Sequence, residues 1–159
     1  MPPRAPSPRL ATHPAIFGIL ELPFSAAVGF LQIAIPYPFM KQRLSLFQIA
    51  AISAVAFLPH AWKLAWIPLL DFGMSRRAWY ALSTGFTALA LLAVALFPDP
   101  FQHRGAFTAL ITLAQVGAAT SSASVEALMA LTTSPREQGR AGGFKMAGNV
   151  GGIGLLARC

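Results

Sequence analysis

Residues 78–97 read AWYALSTGFTALALLAVALF, with no charged side chain in the stretch. A helix needs about 20 mostly apolar residues to cross the hydrocarbon layer of a membrane. This segment therefore predicts a transmembrane helix, and its neighbours fall into place around it. Upstream lies the polar turn Asp71-Phe72-Gly73-Met74-Ser75-Arg76-Arg77, and before it residues 46–70, LFQIAAISAVAFLPHAWKLAWIPLL, which hold His60 and Lys63. Lys41-Gln42-Arg43 separates that stretch from residues 15–40, AIFGILELPFSAAVGFLQIAIPYPFM, whose one acid is Glu21. Downstream, the loop PDPFQHRG carries prolines and a glycine that stop a helix. Residues 106–131, AFTALITLAQVGAATSSASVEALMAL, follow with Glu126 inside. Ser134-Pro135-Arg136-Glu137-Gln138-Gly139-Arg140 is a polar loop, and residues 141–157 are apolar and glycine-rich, a fifth span without room to cross completely. The expectation is an all-α integral membrane protein with four transmembrane helices and a partial fifth.

Composition points the same way. Hydrophobic residues make up 55% of the chain and charged residues 11%, against about 25% charged in soluble domains. So few charges cannot cover a water-facing surface. The net charge of +7 does not indicate nucleic acid, because the cations stand singly or in pairs between apolar runs. That is the pattern of loops between membrane spans rather than of a basic binding face. The single cysteine, Cys159, excludes a disulfide framework within the chain and any metal site built on several cysteines. No Ser-His-Asp, Cys-His, HExxH or metal-ligand cluster is present, so neither catalysis nor a cofactor or metal is expected. Gly148-Asn149-Val150-Gly151-Gly152-Ile153-Gly154 is not a nucleotide loop, lacking the flanking strand and the Gly-Lys-Ser/Thr ending.

Residues 1–14, MPPRAPSPRLATHP, are polar and proline-rich and predict a short disordered arm. The apolar stretch after them is too long for a signal-peptide core and reads as a retained first span. With the N-terminus inside, the cytoplasmic segments hold Arg4, Arg9, Arg76, Arg77, Arg136 and Arg140, and the outer loops hold Lys41, Arg43 and Arg104. That asymmetry favours a multi-pass protein of the inner membrane with a cytoplasmic N-terminus. Trp79 and Tyr80 then lie at the inner interface.

Three ionisable residues fall inside spans: Glu21, Lys63 and Glu126. Each costs ~2.5–3.5 kcal/mol at a helix centre on insertion scales, so such groups pair or line a cavity. At ~1.5 Å per residue, all three sit roughly 9–12 Å from the cytoplasmic edge. A shared level allows a Glu–Lys–Glu cluster, in which neighbouring carboxylates raise one pKa and ready it to carry a proton. A purely structural ion pair, or snorkelling of one residue toward the headgroups, are the alternatives. His60 shares a helix face with Lys63, as a proton relay or as a hydrogen-bond partner for another helix. Prolines 23, 36, 38, 59 and 68 free backbone carbonyls that neighbours or a cavity must satisfy, a pattern that suits a transporter, although proline is also simply frequent in membrane spans. Gly117 to Ser124 in span four predict close helix packing, with a hydroxyl-lined pathway as the alternative, and the glycines at 142, 143, 148, 151, 152 and 154 predict a close-packing or bending helix.

Three stretches resemble a known family. Lys63-Leu-Ala-Trp66-Ile-Pro68-Leu-Leu-Asp71 is similar to a Lys-x-x-Trp-x-Pro-x-x-Asp pattern, and Asp71 to Arg77 loosely follows a signature loop of an acid and then bases. Ala119-Thr120 through Glu126-Ala127 to Pro135-Arg136-Glu137-Gln138-Gly139 is similar to a fourth helix and its following loop. Together they resemble the major facilitator superfamily, in the branch of muropeptide permeases (AmpG-like) and acetyl-CoA transporters. That family often has two aspartates in the fourth helix, where this chain has Ser122 and Glu126. It usually has a glycine at the start of the signature loop, where this chain has Ile67.

The resemblance implies a secondary transporter of twelve helices in two halves, with a small-solute site between them. It also implies that helices one and four, with Glu21 and Glu126, face the cavity, and that Asp71, Arg76 and Arg77 belong to an inner gate. Residues 15–157 would then be an incomplete N-terminal half that needs the missing C-terminal half to function. Its partners would be the bilayer, a small solute and protons. The alternative is a small multi-span protein acting as a helix-packing subunit or scaffold.

Overall fold

A computed structural model describes residues 13–71 and 73–156. The expected arm over residues 1–14 lies almost wholly outside the described residues. The described chain is all helical, with no strand among the described residues. Helix α1 (Ala15–Gly29) runs through a π turn (Phe30–Ala34) into the short α2 (Pro36–Lys41). Then come α3 (Leu46–Trp66), a 3-10 turn (Ile67–Asp71), α4 (Arg76–Ala95), α5 (Arg104–Thr132) and α6 (Gln138–Leu156). Four segments are long and apolar enough to cross a membrane: Ala15–Lys41, Leu46–Trp66, Arg76–Ala95 and Arg104–Thr132. Helix α6 is not one of them, because Arg140, Lys145, Asn149 and its many glycines lower its hydropathy.

Local chemistry sets the boundaries. Ser45 forms a capping box at the start of α3: its hydroxyl accepts from Gln48 N at 3.3 Å, and Gln48 Oε1 accepts from Ser45 N at 3.2 Å. Ser75 caps α4 by accepting from Ala78 N at 3.3 Å, so the helix begins at Arg76, two residues before the predicted start. Arg76 and Arg77 are thus in a first helical turn rather than in a loop. The second span is shorter than residues 46–70, because α3 gives way to the 3-10 turn that contains Pro68. Pro23 lies inside α1 and donates no backbone bond. One residue along from the Ile19 carbonyl that it leaves open, Tyr80 of α4 donates its hydroxyl to Leu20 O at 3.0 Å. The π turn precedes Pro36, where an α-helical bond to Gln32 O is impossible, and Ile35 N instead reaches Phe30 O at 3.1 Å.

Helix α5 is the axis of the bundle, and α1, α3 and α4 all pack on it. At the end where α2 finishes and α5 starts, Leu31, Ile35, Phe39, Ile49, Val94, Phe107 and Ile111 form the main apolar core. At the other end a smaller group, Phe17, Val125 and Ala141, is buried. The outer faces are apolar as well: Phe47, Leu58, Leu64, Leu89 and Leu96 are all exposed. A large exposed apolar surface marks a face meant for lipid or for other helices.

Helix α6 docks on α1 almost backbone to backbone. A methyl group on Gly148 would collide with the Gly18 carbonyl, one on Gly18 would lie 2.7 Å from Phe144 O, and one on Gly152 would strike Ser25. Ser25 Oγ bonds across the seam to Gly148 O at 3.2 Å as well as to its own helix at Glu21 O, 2.9 Å. Of the six glycines picked out in this segment, only Gly148 and Gly152 face α1; nothing lies within 4 Å of the position a methyl would take on Gly142, Gly143, Gly151 or Gly154.

Candidate functional site

The three charges inside the candidate spans meet, but through a fourth. Lys63 Nζ of α3 donates to both oxygens of Glu126 on α5, at 3.0 and 3.2 Å. Lys145 Nζ of α6 donates to the same Glu126 Oε1 at 3.0 Å and lies 3.3 Å from Glu21 Oε1 of α1. Ser122, one turn before Glu126, donates to Glu21 Oε1 at 2.8 Å. The result is a chain Glu21–Lys145–Glu126–Lys63 drawn from four helices. The Glu–Lys–Glu cluster that the shared level allowed forms through this relay: among the described residues Lys63 bonds Glu126, and Lys145 connects the two acids.

The fold explains why these groups converge. The glycine seam brings α6 so close to α1 that Lys145, on the flank of the seam, overhangs Glu21. The small residues Gly117, Ala118 and Ala119 let α5 sit centrally, and a methyl on Gly117 would meet Thr87 and Phe86 of α4. Most hydroxyls of this stretch bond within their own helix: Thr120 to Val116 O, Ser121 to Ala118 O and Ser124 to Thr120 O. Ser122 is the one that bridges to Glu21.

Exposure differs sharply along the chain of charges. The Glu21 side chain is 0% exposed, Lys145 19%, Lys63 23% and Glu126 40%. Glu21 Oε2 is buried with no hydrogen-bond partner among the described residues, leaving one acceptor open at the deepest point. The group is formally neutral, with two acids and two bases. Neutrality and multiple hydrogen bonds are what an ionised cluster needs to persist away from water. Lys145 is shared between Glu126 and Glu21, and Glu126 is shared between Lys145 and Lys63.

A second polar node lies nearer the middle of the bundle. Gln115 Nε2 donates to the Ala27 carbonyl at 2.9 Å, just before the π turn. A carbonyl can only accept, so the amide nitrogen must face it and Gln115 Oε1 faces His60 at 2.9 Å. His60 therefore carries its proton on Nε2. Its ring is edge-on to Phe24 and also packs on Phe57. This is the hydrogen-bonding alternative for His60, tying α3 to α5 and α1.

Of the expected inner-gate residues, Asp71 ends the 3-10 turn, and its side chain lies outside the described residues. Arg76 and Arg77 occupy the first turn of α4. Lys145 is the residue that sequence reading missed. It lies seven residues into α6, which is ~10 Å from that helix's start, the level already deduced for the other three. The same depth rule would have found it had α6 not been read through its glycines. Among the described residues no group of histidine, cysteine, aspartate and glutamate could hold a metal ion. No protein-family model matches the chain, and no solved structure matches it.

Proposed function

We propose that this chain is a multi-pass protein of the inner membrane with a cytoplasmic N-terminus, and that it provides part of a secondary active transporter of the major facilitator type for a small solute. In this reading Glu21, Lys145, Glu126 and Lys63 line the substrate or proton pathway, and Asp71, Arg76 and Arg77 belong to its inner gate. The observation that carries the reading is the convergence of four ionisable side chains from four helices on one level of a largely apolar bundle. Intramembrane charge is costly and tends to mark an ion or substrate path. Glu126 is the most exposed of the four and is the group to which solute and solvent protons have access. A neutral cluster that reorganises on gaining one proton supplies the differential binding that alternating access requires.

The test uses membrane vesicles from cells that make the protein natively, loaded with a pH-sensitive dye. Peptidoglycan fragments, other sugar conjugates and acyl-carrier compounds are added in turn. At least one is expected to drive proton movement that Glu126→Gln abolishes and Glu137→Gln leaves intact. If no solute moves protons, or if Glu126→Gln behaves as wild type, the proton-coupled reading fails.

One observation favours a second reading, a helix-packing subunit. Gly143, Gly151 and Gly154 share the side of α6 turned away from α1 and have open space in front of them. Small residues on a free face suit close approach by another helix. A cysteine at position 151 that cross-links to a separate protein in native membranes would support this reading over transport.

A further inference from the structure

Where α1 and α4 begin and α5 finishes, the three helices leave a cleft of about 230 Å³. Its walls are Ile16 and Leu20 from α1, the Tyr80 ring from α4 and Leu128 from α5, with Arg77 at the rim. The Tyr80 hydroxyl is already bonded to Leu20 O, so this side chain offers a surface for packing rather than a polar group. Arg77 is exposed, as the second residue of α4. The position follows from the helix ends alone: the cleft opens at one edge of the apolar bundle, where headgroups would meet acyl chains.

The charge at this edge is mainly basic: its acids are Asp71, whose side chain lies outside the described residues, and Glu137. Neither α1 nor α4 carries an acid in its first turn, and two helix N-termini, each the positive end of a dipole, face one C-terminus. Arg76, Arg136 and Arg140 stand at the same end of the bundle. The nearby acid, Glu137, accepts from Ser134 Oγ at 3.2 Å.

We infer that this cleft seats one anionic phospholipid. An acyl chain lies along Ile16, Leu20 and Leu128, and the phosphate stands against Arg77, whose planar guanidinium matches phosphate oxygens in pairs. Arg77 also discriminates against zwitterionic lipids, whose own ammonium its guanidinium repels. The inference does not need transport: it uses none of the four residues of the charged chain, and although Arg77 is also assigned to the gate above, the test reads lipid retention and not solute movement.

The test is native mass spectrometry of the full chain released from nanodiscs of equimolar phosphatidylglycerol and phosphatidylcholine. Wild type should retain phosphatidylglycerol over phosphatidylcholine by about fivefold, the order expected for one cation near an anionic lipid. Arg77→Ala should erase the preference, and Arg77→Lys should keep most of it. Leu128→Trp, which fills the cleft, should lower retention of both lipids. Arg136→Ala, at the same end but outside the cleft, should change little. An unchanged preference in Arg77→Ala overturns the proposal, as does an equal loss in Arg136→Ala, which would mean diffuse attraction without a site. Lipid retention that appears only after removal of residues 1–12 also overturns it, since the cleft would then be the seat of the chain's own N-terminal segment.

Discussion

The two ends of the bundle are held by opposite chemistry. At one end Phe39 packs on Phe101 and Phe107 with ring centroids 5.1 and 5.8 Å apart, and Phe97 closes on Phe107 at 5.6 Å. These contacts are apolar, short-range and indifferent to proton concentration. At the other end a glycine seam and four charged side chains do the joining, and each charge depends on the next. The first end resists change by bulk; the second is stable only while its charges balance.

The sharpest way to break the comparison is at Lys145. Lys145→Met leaves Glu21 fully buried without its cation, and removing one partner of a buried pair costs about 3–5 kcal/mol. The expected outcome is a large fall in melting temperature in detergent, most of which returns when Glu21→Gln is added. A Lys145→Met protein that melts like wild type would show that the charged end contributes no such dependence.

Phe107→Ala, at the opposite end, should cost about 3 kcal/mol through the cavity it opens. That loss should add to the Lys145→Met loss without interaction, because the sites share no partner. A double-mutant cycle measures this directly, and strong coupling would mean the two ends are not separate units. Gly148→Ala should cost ~1–3 kcal/mol by forcing α6 off α1, whereas Gly151→Ala, which meets open space, should cost almost nothing. Equal effects of the two would place the seam elsewhere on α6. Smallest is Ser45→Ala, which removes the cap of α3 for about 1 kcal/mol; thermal melts should resolve it from wild type only narrowly.

Much of the helical layout was legible because membrane spans announce themselves by length and apolarity. The level of Glu21, Lys63 and Glu126 was legible because helical rise converts residue counts into depth. Three things were not. The π turn at Phe30–Ala34 arises from proline geometry and packing that no periodicity encodes. Which glycines of α6 face α1 could not be read, because glycines occur on every side of that helix. Lys145 was hidden for the same reason: a segment classified by its smallest residues drew attention away from its one deep cation. The missing information was lateral in each case, a matter of which side faces what, while the common level of these side chains along the helices could be counted from the sequence.

The glycine seam has a consequence at the level of the gene. Any single-base change in the first two positions of a glycine codon gives alanine, valine, serine, arginine, cysteine, tryptophan, aspartate, glutamate or a stop, and every one of those residues carries a Cβ. Gly18 and Gly148 therefore have no mild missense neighbour, while Gly151 and Gly154 on the open side have several. In a saturation library the tolerated codons of α6 should alternate with the turn of the helix, tracing the line of contact with α1.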